Sequence, residues 1–206
     1  MKPKALAAEL LGTFMLTLAV LISVNTTGFP IPTPVIAGLT LGLLVYTIGP
    51  VSGCHINPAV TIGLFSIGKI EAMSAAGYIA VQIIGAFAAL GIGGALFSPG
   101  ADVIAANTFD VGVAELLGAF VFLFGIASVV LGRVPAVMSG IVIGGSLALG
   151  VSFAAHTSNG VLNPAVAFGI GSFSLAYVWG PIVGAVVGCF LSRALEEAST
   201  GDSQTD

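Results

Sequence analysis

His55-Ile56-Asn57-Pro58-Ala59-Val60 and Val161-Leu162-Asn163-Pro164-Ala165-Val166 decide how this chain is read. Each hexapeptide contains Asn-Pro-Ala, and their asparagines lie 106 residues apart. Each opens an apolar run, 57–67 and 163–173. At 1.5 Å per residue such a run reaches ~16 Å, about half of a ~30 Å hydrocarbon core. Asn is a favoured helix cap, its side-chain oxygen accepting from free amides of the first turn. Pro suits the first helical position, where no amide donor is needed. Asn-Pro therefore predicts a helix start in which the Asn NH2 is left to point outward as a fixed donor. One such start is ordinary. Two, at the interval of an internal repeat and inside half-spanning runs, are not.

The interval of 106 extends well beyond the hexapeptides. Ala8-Glu9-Leu10-Leu11-Gly12-Thr13-Phe14 matches Ala114-Glu115-Leu116-Leu117-Gly118-Ala119-Phe120, and Gly38 and Gly63 match Gly144 and Gly169, all at that offset. Further on the register slips to 99, where Gln82, Gly85 and Ala86 match Pro181, Gly184 and Ala185. The loop after the second half-helix is expected to be seven residues shorter.

The 206 residues are 57% hydrophobic and only 7% charged. A soluble domain carries roughly 25% charged residues, so the lipid bilayer is the expected solvent. Six spans are placed near Ala5–Val24, Pro34–Ile48, Ala72–Leu96, Val111–Leu131, Ala136–Ala155 and Leu175–Leu195. The fold class is therefore all-α membrane protein, with six transmembrane helices and two half-spanning re-entrant helices. A single domain is expected over 1–196, with repeats over about 5–96 and 111–195, followed by a polar, disordered tail over 197–206. Three spans per repeat is an odd number, so the second copy is inverted in the membrane. Inverted repeats place their site near the midplane, where broken helices meet.

Lys2, Lys4, Lys69, Arg133 and Arg193 all fall on one side of that topology, while Asp102 and Asp110 fall on the other. Basic residues favour the cytoplasmic side, so both termini are expected there, in a multi-pass protein of the cell membrane. Lys2 and Lys4 before an apolar run have the form of a leader, but the same local pattern recurs at 114–120, which argues against one. Asn25-Thr26-Thr27 is a glycosylation sequon abutting the membrane, a position in which such motifs usually go unused. No basic cluster suggests nucleic acid. Cys54 and Cys189 form neither a disulfide framework nor a metal site, and no metal or cofactor is expected. Glycines at small-xxx-small spacing, Gly38/Gly42, Gly140/Gly144 and Gly184/Gly188, read as close helix packing.

Two half-helices entering from opposite faces would bring Asn57 and Asn163 together, backed by positive helix ends of roughly half a charge each. Such a centre repels cations, and its donors interrupt a proton wire. The chain resembles the aquaporin, or major intrinsic protein, family from Ala8 to about Gly188. The resemblance rests on Ala8–Phe14, on Ser52-Gly53-Cys54-His55-Ile56-Asn57-Pro58-Ala59-Val60-Thr61, on the second Asn-Pro-Ala, and on Trp179-Gly180-Pro181 with Gly184-Ala185. It implies one pore per subunit, assembly as a homotetramer, and passive conduction of water or small neutral solutes. It places Asn57, Pro58, Ala59, Asn163, Pro164 and Ala165 at the pore centre. Ionisable groups inside spans are costly; the resemblance makes Glu9 and Glu115 acceptors that brace the re-entrant loops rather than a proton path. It makes His55 a loop support rather than a titrating gate.

The departure from the family pattern lies after the second Asn-Pro-Ala, where most members have Arg and this chain has Val166. By resemblance the outer constriction maps to Ala37, Val151, Gly160 and Val166, with Gly150 or Ser152 as alternatives to Val151. Losing an aromatic, an imidazole and a guanidinium widens that ring and removes its charge. Water, ammonia, urea, peroxide and glycerol all remain candidate solutes. His156 either faces the vestibule or caps the loop. Three other readings stand beside the channel. An alternating-access transporter would need an ion site, an intramembrane enzyme would need a catalytic set at useful spacing, and a structural relative would have a dry, closed pore.

Overall fold

A segment in hydrocarbon must pair its backbone polar groups within itself, and the apolar runs do so as helices. The computed structural model describes residues 2–26, 28–96 and 105–201. Thr27 of the sequon, Asp102 and tail residues 202–206 lie outside the described residues. In chain order the helices are α1 (Pro3–Asn25), α2 (Thr33–Thr47), α3 (Gly49–Ser52), α4 (Pro58–Ser66), α5 (Ala72–Leu96), α6 (Phe109–Val130), α7 (Ser139–Ala154), α8 (Pro164–Gly169) and α9 (Ala176–Gly201). A 3-10 turn, Ala136–Met138, leads into α7. Among the described residues there is no strand.

Five stretches are long and apolar enough to cross a membrane: Pro3–Asn25, Ala72–Leu96, Phe109–Val130, Ala136–Ala154 and Ala176–Glu197. The sixth crossing is α2, only 15 residues long, with α3 following after Ile48. Pro50 has no amide to donate and its ring crowds the carbonyl four residues back, so the helical ladder breaks there and resumes. The sequence put the end of this span at Ile48; helix continues to Ser52. The protein is thus an all-α, multi-pass membrane protein. At the other end of the chain α9 runs through Glu197 to Gly201, past residue 196 where the domain was expected to end.

The repeat governs the packing. α1 packs on α5 and on α2, as α6 packs on α9 and on α7. The repeats meet where α2 crosses α7. There a Cβ on Gly38 would stand 2.5 Å from the Gly144 carbonyl oxygen, and one on Gly144 would stand 2.4 Å from the Gly38 oxygen. No side chain fits either place, so glycine lets the two backbones touch. The same holds within the repeats, with Gly85 against the Leu10 oxygen and Gly184 against the Leu116 oxygen. Each half-helix lies mainly against the last helix of the other repeat, α4 on α9 and α8 on α5.

The seven-residue deficit in the second repeat is not a shortened loop. α8 has 6 residues where α4 has 9. α9 opens one residue before Tyr177, whereas α5 opens six residues before the matching Tyr78. The connecting stretches, 67–71 and 170–175, are nearly equal. Helix ends, not the turn, absorbed the change.

Candidate functional site

Each Asn-Pro pair starts its helix as its chemistry demands. Asn57 caps α4 from an extended backbone, and its Oδ1 accepts from the Ala59 amide at 2.8 Å. Asn163 caps α8, accepting from the amides of Ala165 at 3.0 Å and Val166 at 3.3 Å. The NH2 groups do not simply point outward. Asn57 Nδ2 donates to the Leu162 carbonyl at 2.9 Å, and Asn163 Nδ2 donates to the Ile56 carbonyl at 3.0 Å. One amide hydrogen of each Asn thus ties the two re-entrant loops together tip to tip, leaving the second hydrogen of each outside that tie. Because α8 is only two turns long, it aligns fewer peptide dipoles than the sequence suggested.

The residues whose carbonyls accept these bonds are held in an uncommon conformation. Ile56 and Leu162, both fully buried, have φ of 42° and 54°. Left-handed backbone is costly for a side chain with a Cβ, so something must over-determine it. Glu9 and Glu115 do. Glu9 accepts from the amides of His55 (2.9 Å) and Ile56 (2.6 Å) and from Ser52 Oγ (2.6 Å). Glu115 accepts from the amides of Val161 (2.9 Å) and Leu162 (2.7 Å) and from Ser158 Oγ (2.7 Å). The serines in turn accept from the amides of Cys54 and Gly160, which are themselves left-handed at φ 53° and 60°. Every named position matches its counterpart at 106. Donors surround both carboxylates, and a chain of charge-assisted bonds fixes each loop.

A cavity of about 630 Å³ runs from the far end of the bundle down to the Asn pair, lined by Ala37, Val151, Gly160, Val166, Asn57 and Asn163 among others. The four positions expected at the constriction therefore all line this one cavity. Val151 faces the cavity, whereas Gly150 packs on the Gly118 oxygen and Ser152 is exposed and donates to Ala148. A Cβ on Gly160 would lie 2.7 Å from the Val151 oxygen, so only backbone lines the wall there. No charged side chain lines this cavity among the described residues. His156 is exposed and is not among the lining residues. A second cavity, about 340 Å³, opens at the end carrying Lys69 and is lined by Cys54, Val60, Tyr78 and Ile126. His55 borders both cavities. Pro58, Ala59, Pro164 and Ala165 are buried behind the Asn pair. Among the described residues no cluster of side chains could hold a metal ion.

The sequence profile described as Major intrinsic protein matches residues 2–192. The chain belongs to that family. Among curated major intrinsic proteins, it is 32% identical to "Aquaporin Z" of Bradyrhizobium diazoefficiens across 98% of this chain and 97% of that one. It is 33% identical to "Glycerol uptake facilitator protein-like 6" of Lactiplantibacillus plantarum across 91% and 96%. The fold matches the X-ray structure of the aquaglyceroporin from Plasmodium falciparum, with a TM-score of 0.72 at 23% identity, over 92% of this chain and 93% of that one.

Sequence reading missed Ser52 and Ser158 as loop supports, although their spacing of 106 was legible. It missed the tyrosines matched at 99: Tyr78 Oη donates to the Ser52 carbonyl at 2.8 Å, and Tyr177 Oη accepts from the Asn159 amide at 3.0 Å. It also missed Gln82 and Thr61, which hydrogen-bond to each other, with Gln82 donating to Glu9 as well. A lone amide in the apolar run 79–90 was the signal for Gln82.

Proposed function

We propose that the two cavities and the Asn pair between them are one continuous pore whose outer ring admits neutral solutes wider than water. The protein is a passive channel for water and small neutral solutes. Asn57 and Asn163 act at its centre as donors. Ala37, Val151, Gly160 and Val166 form the outer constriction, and Glu9, Glu115 and His55 hold the loops. The observation that carries this reading is the apolar, uncharged wall at the constriction directly above two buried donors. An apolar ring of that kind sets a size limit but places no demand on solute shape, so urea- and polyol-sized molecules pass with water. The similarity to relatives named for water and for glycerol supports the same range.

Assembly is as a homotetramer, with both termini cytoplasmic because every basic residue of the chain falls at that end. The test is stopped-flow light scattering on proteoliposomes of the purified protein, comparing water with urea and glycerol. Val166→Arg restores a long, charged side chain at the ring and is expected to reduce urea passage more than water passage. An unchanged ratio of the two would sink the assignment of Val166 to the constriction.

A further inference from the structure

Among the described residues His55 is the one titratable side chain that borders both cavities, and its role there depends on which ring nitrogen carries the proton. A chain of hydrogen bonds behind it does. Gln82 Nε2 lies 2.8 Å from Glu9 Oε2 and 3.0 Å from Thr61 Oγ1. A carboxylate oxygen that already accepts from a backbone amide needs a donor, so the Gln82 amide must present its nitrogen to Glu9. Turning the amide over would set oxygen against oxygen. The orientation holds although it leaves the buried Gln82 Oε1 without a partner among the described residues. Thr61 Oγ1 therefore receives a hydrogen from Gln82. It gives its own hydrogen to the Asn57 carbonyl at 3.0 Å, a group that can only accept. One lone pair remains on Oγ1, and His55 Nδ1 lies 3.2 Å away. That contact needs a hydrogen on Nδ1.

We propose that Gln82, acting through Thr61, is a positioning residue that holds His55 as its Nδ1–H tautomer and turns an Nε2 lone pair toward the passing molecule. In a neutral imidazole the bond made by one nitrogen decides the role of the other. Nε2 makes no hydrogen bond to the protein among the described residues, and the ring stands where the two cavities meet. Edge-on contact with Tyr78, at 5.2 Å between ring centroids, holds its plane. A molecule at the Asn pair directs its oxygen to the two donors, and its own hydrogens point along the pore. On the His55 side an acceptor receives one of them. On the other side the matching residues are Val161, Ala167 and Pro181 in place of His55, Thr61 and Gln82, and none of those three side chains can accept a hydrogen bond. His55 thereby favours solutes that keep an O–H or N–H free after their oxygen is bound.

The place of Nε2 on the solute path rests on the channel reading, but the tautomer does not. The experiment separates the two. The full chain carrying His156→Gln, labelled with [15N]histidine and placed in lipid nanodiscs, gives ring-nitrogen signals from His55 alone. Nδ1 is expected protonated and Nε2 unprotonated. Thr61→Val removes the acceptor and is expected to shift the ring to Nε2–H or a mixture, while Thr61→Ser retains the parent pattern. Water flux in proteoliposomes is expected to fall roughly 2- to 10-fold in Thr61→Val, the range of one neutral hydrogen bond, and to be restored in Thr61→Ser. A protonated Nε2 in the parent protein overturns the proposal without any variant, and so does a Thr61→Val spectrum that keeps the parent pattern. Absence of flux in the parent overturns the channel reading instead and leaves the tautomer standing.

Discussion

The two re-entrant loops have one skeleton and two different walls. Ser52 and Ser158, Glu9 and Glu115, Ile56 and Leu162, and Asn57 and Asn163 make the same bonds to within a few tenths of an ångström. These are the groups that pair otherwise orphaned backbone in the middle of a membrane, and there the chain had no freedom to diverge. Beside them it diverged widely. His55 faces Val161 in the repeat alignment, Cys54 faces Gly160, Thr61 faces Ala167, and Gln82 faces Pro181. Backbone satisfaction is duplicated, whereas the surface offered to the solute is not. Where the first loop presents the His55 imidazole to the pore, the second presents the Val161 side chain.

The sharpest way to break the comparison is to remove the two carboxylates in turn. Glu9→Leu strips acceptors from Ser52, the amides of His55 and Ile56, and Gln82. Glu115→Leu strips them from Ser158 and the amides of Val161 and Leu162. Each stranded donor bound to a charged group is worth about 1.5–3 kcal/mol. Both variants are therefore expected to lose about 4 kcal/mol or more, with the Glu9 variant the worse. Thermal melting followed by fluorescence-detected size exclusion in detergent measures this. Equal melting points would mean that the fourth donor, Gln82, adds nothing to the first loop.

How much of this was legible follows from the same division. Six spans, two half-helices and their inversion could be read because the repeat restates them, and because hydropathy marks what must be buried. The donor role of the Asn side chains was legible from Asn-Pro alone. Their bonds to the Ile56 and Leu162 carbonyls were not, since those carbonyls accept only because φ is positive there, and neither Ile nor Leu advertises such a backbone. Cys54 and Gly160 make the point in reverse. Gly at 160 is a signal for left-handed backbone, yet Cys at the matching position hides it. The Gln82–Thr61–His55 chain had no second copy to announce it, and its members lie far apart in sequence.

Replacing the donors at the centre comes next in size. Asn163→Asp keeps a good cap, its carboxylate held by the amides of Ala165 and Val166, but it loses the bond to Ile56 and puts a negative charge at the waist. A unit charge 4 Å from a passing cation is worth ~4 kcal/mol at an effective dielectric of ~20. Voltage-driven cation current in planar bilayers is expected to rise at least about tenfold. Asn57→Asp, held by one capping amide rather than two, should show the same sign with a smaller rise. No current in either variant would remove the Asn pair from the charge barrier.

Left-handed backbone gives a smaller and opposite pair of effects. Gly160→Ala adds a Cβ 2.7 Å from the Val151 oxygen at φ 60°. The conformational cost alone is ~1–2 kcal/mol, and the new methyl group narrows the outer ring. Cys54→Gly, at the matching place, relieves that strain and removes a small buried side chain. Stability is expected to fall by about 2 kcal/mol in the first variant and to change by less than about 1 kcal/mol in the second. Urea flux should fall in the first alone. Matching losses in both would show that the two loops share more than their backbone.

The least perturbing probe uses the thiols. Cys54 lines the smaller cavity at the edge of the first loop, and its counterpart in the second loop has no side chain. Cys189 is fully buried and packs against Gly63, away from both cavities. A mercurial entering from the end that carries Lys69 therefore meets one reachable thiol. Partial, thiol-reversible slowing of water flux is expected in the parent protein. Cys54→Ser should abolish it and Cys189→Ser should leave it intact. The Ser hydroxyl keeps nearly the same volume, so unmodified flux should change little. If Cys189→Ser abolished the inhibition instead, the mercurial would be acting from the contact between α4 and α9, not from the pore. The first loop's edge would then have to be redrawn away from the solute.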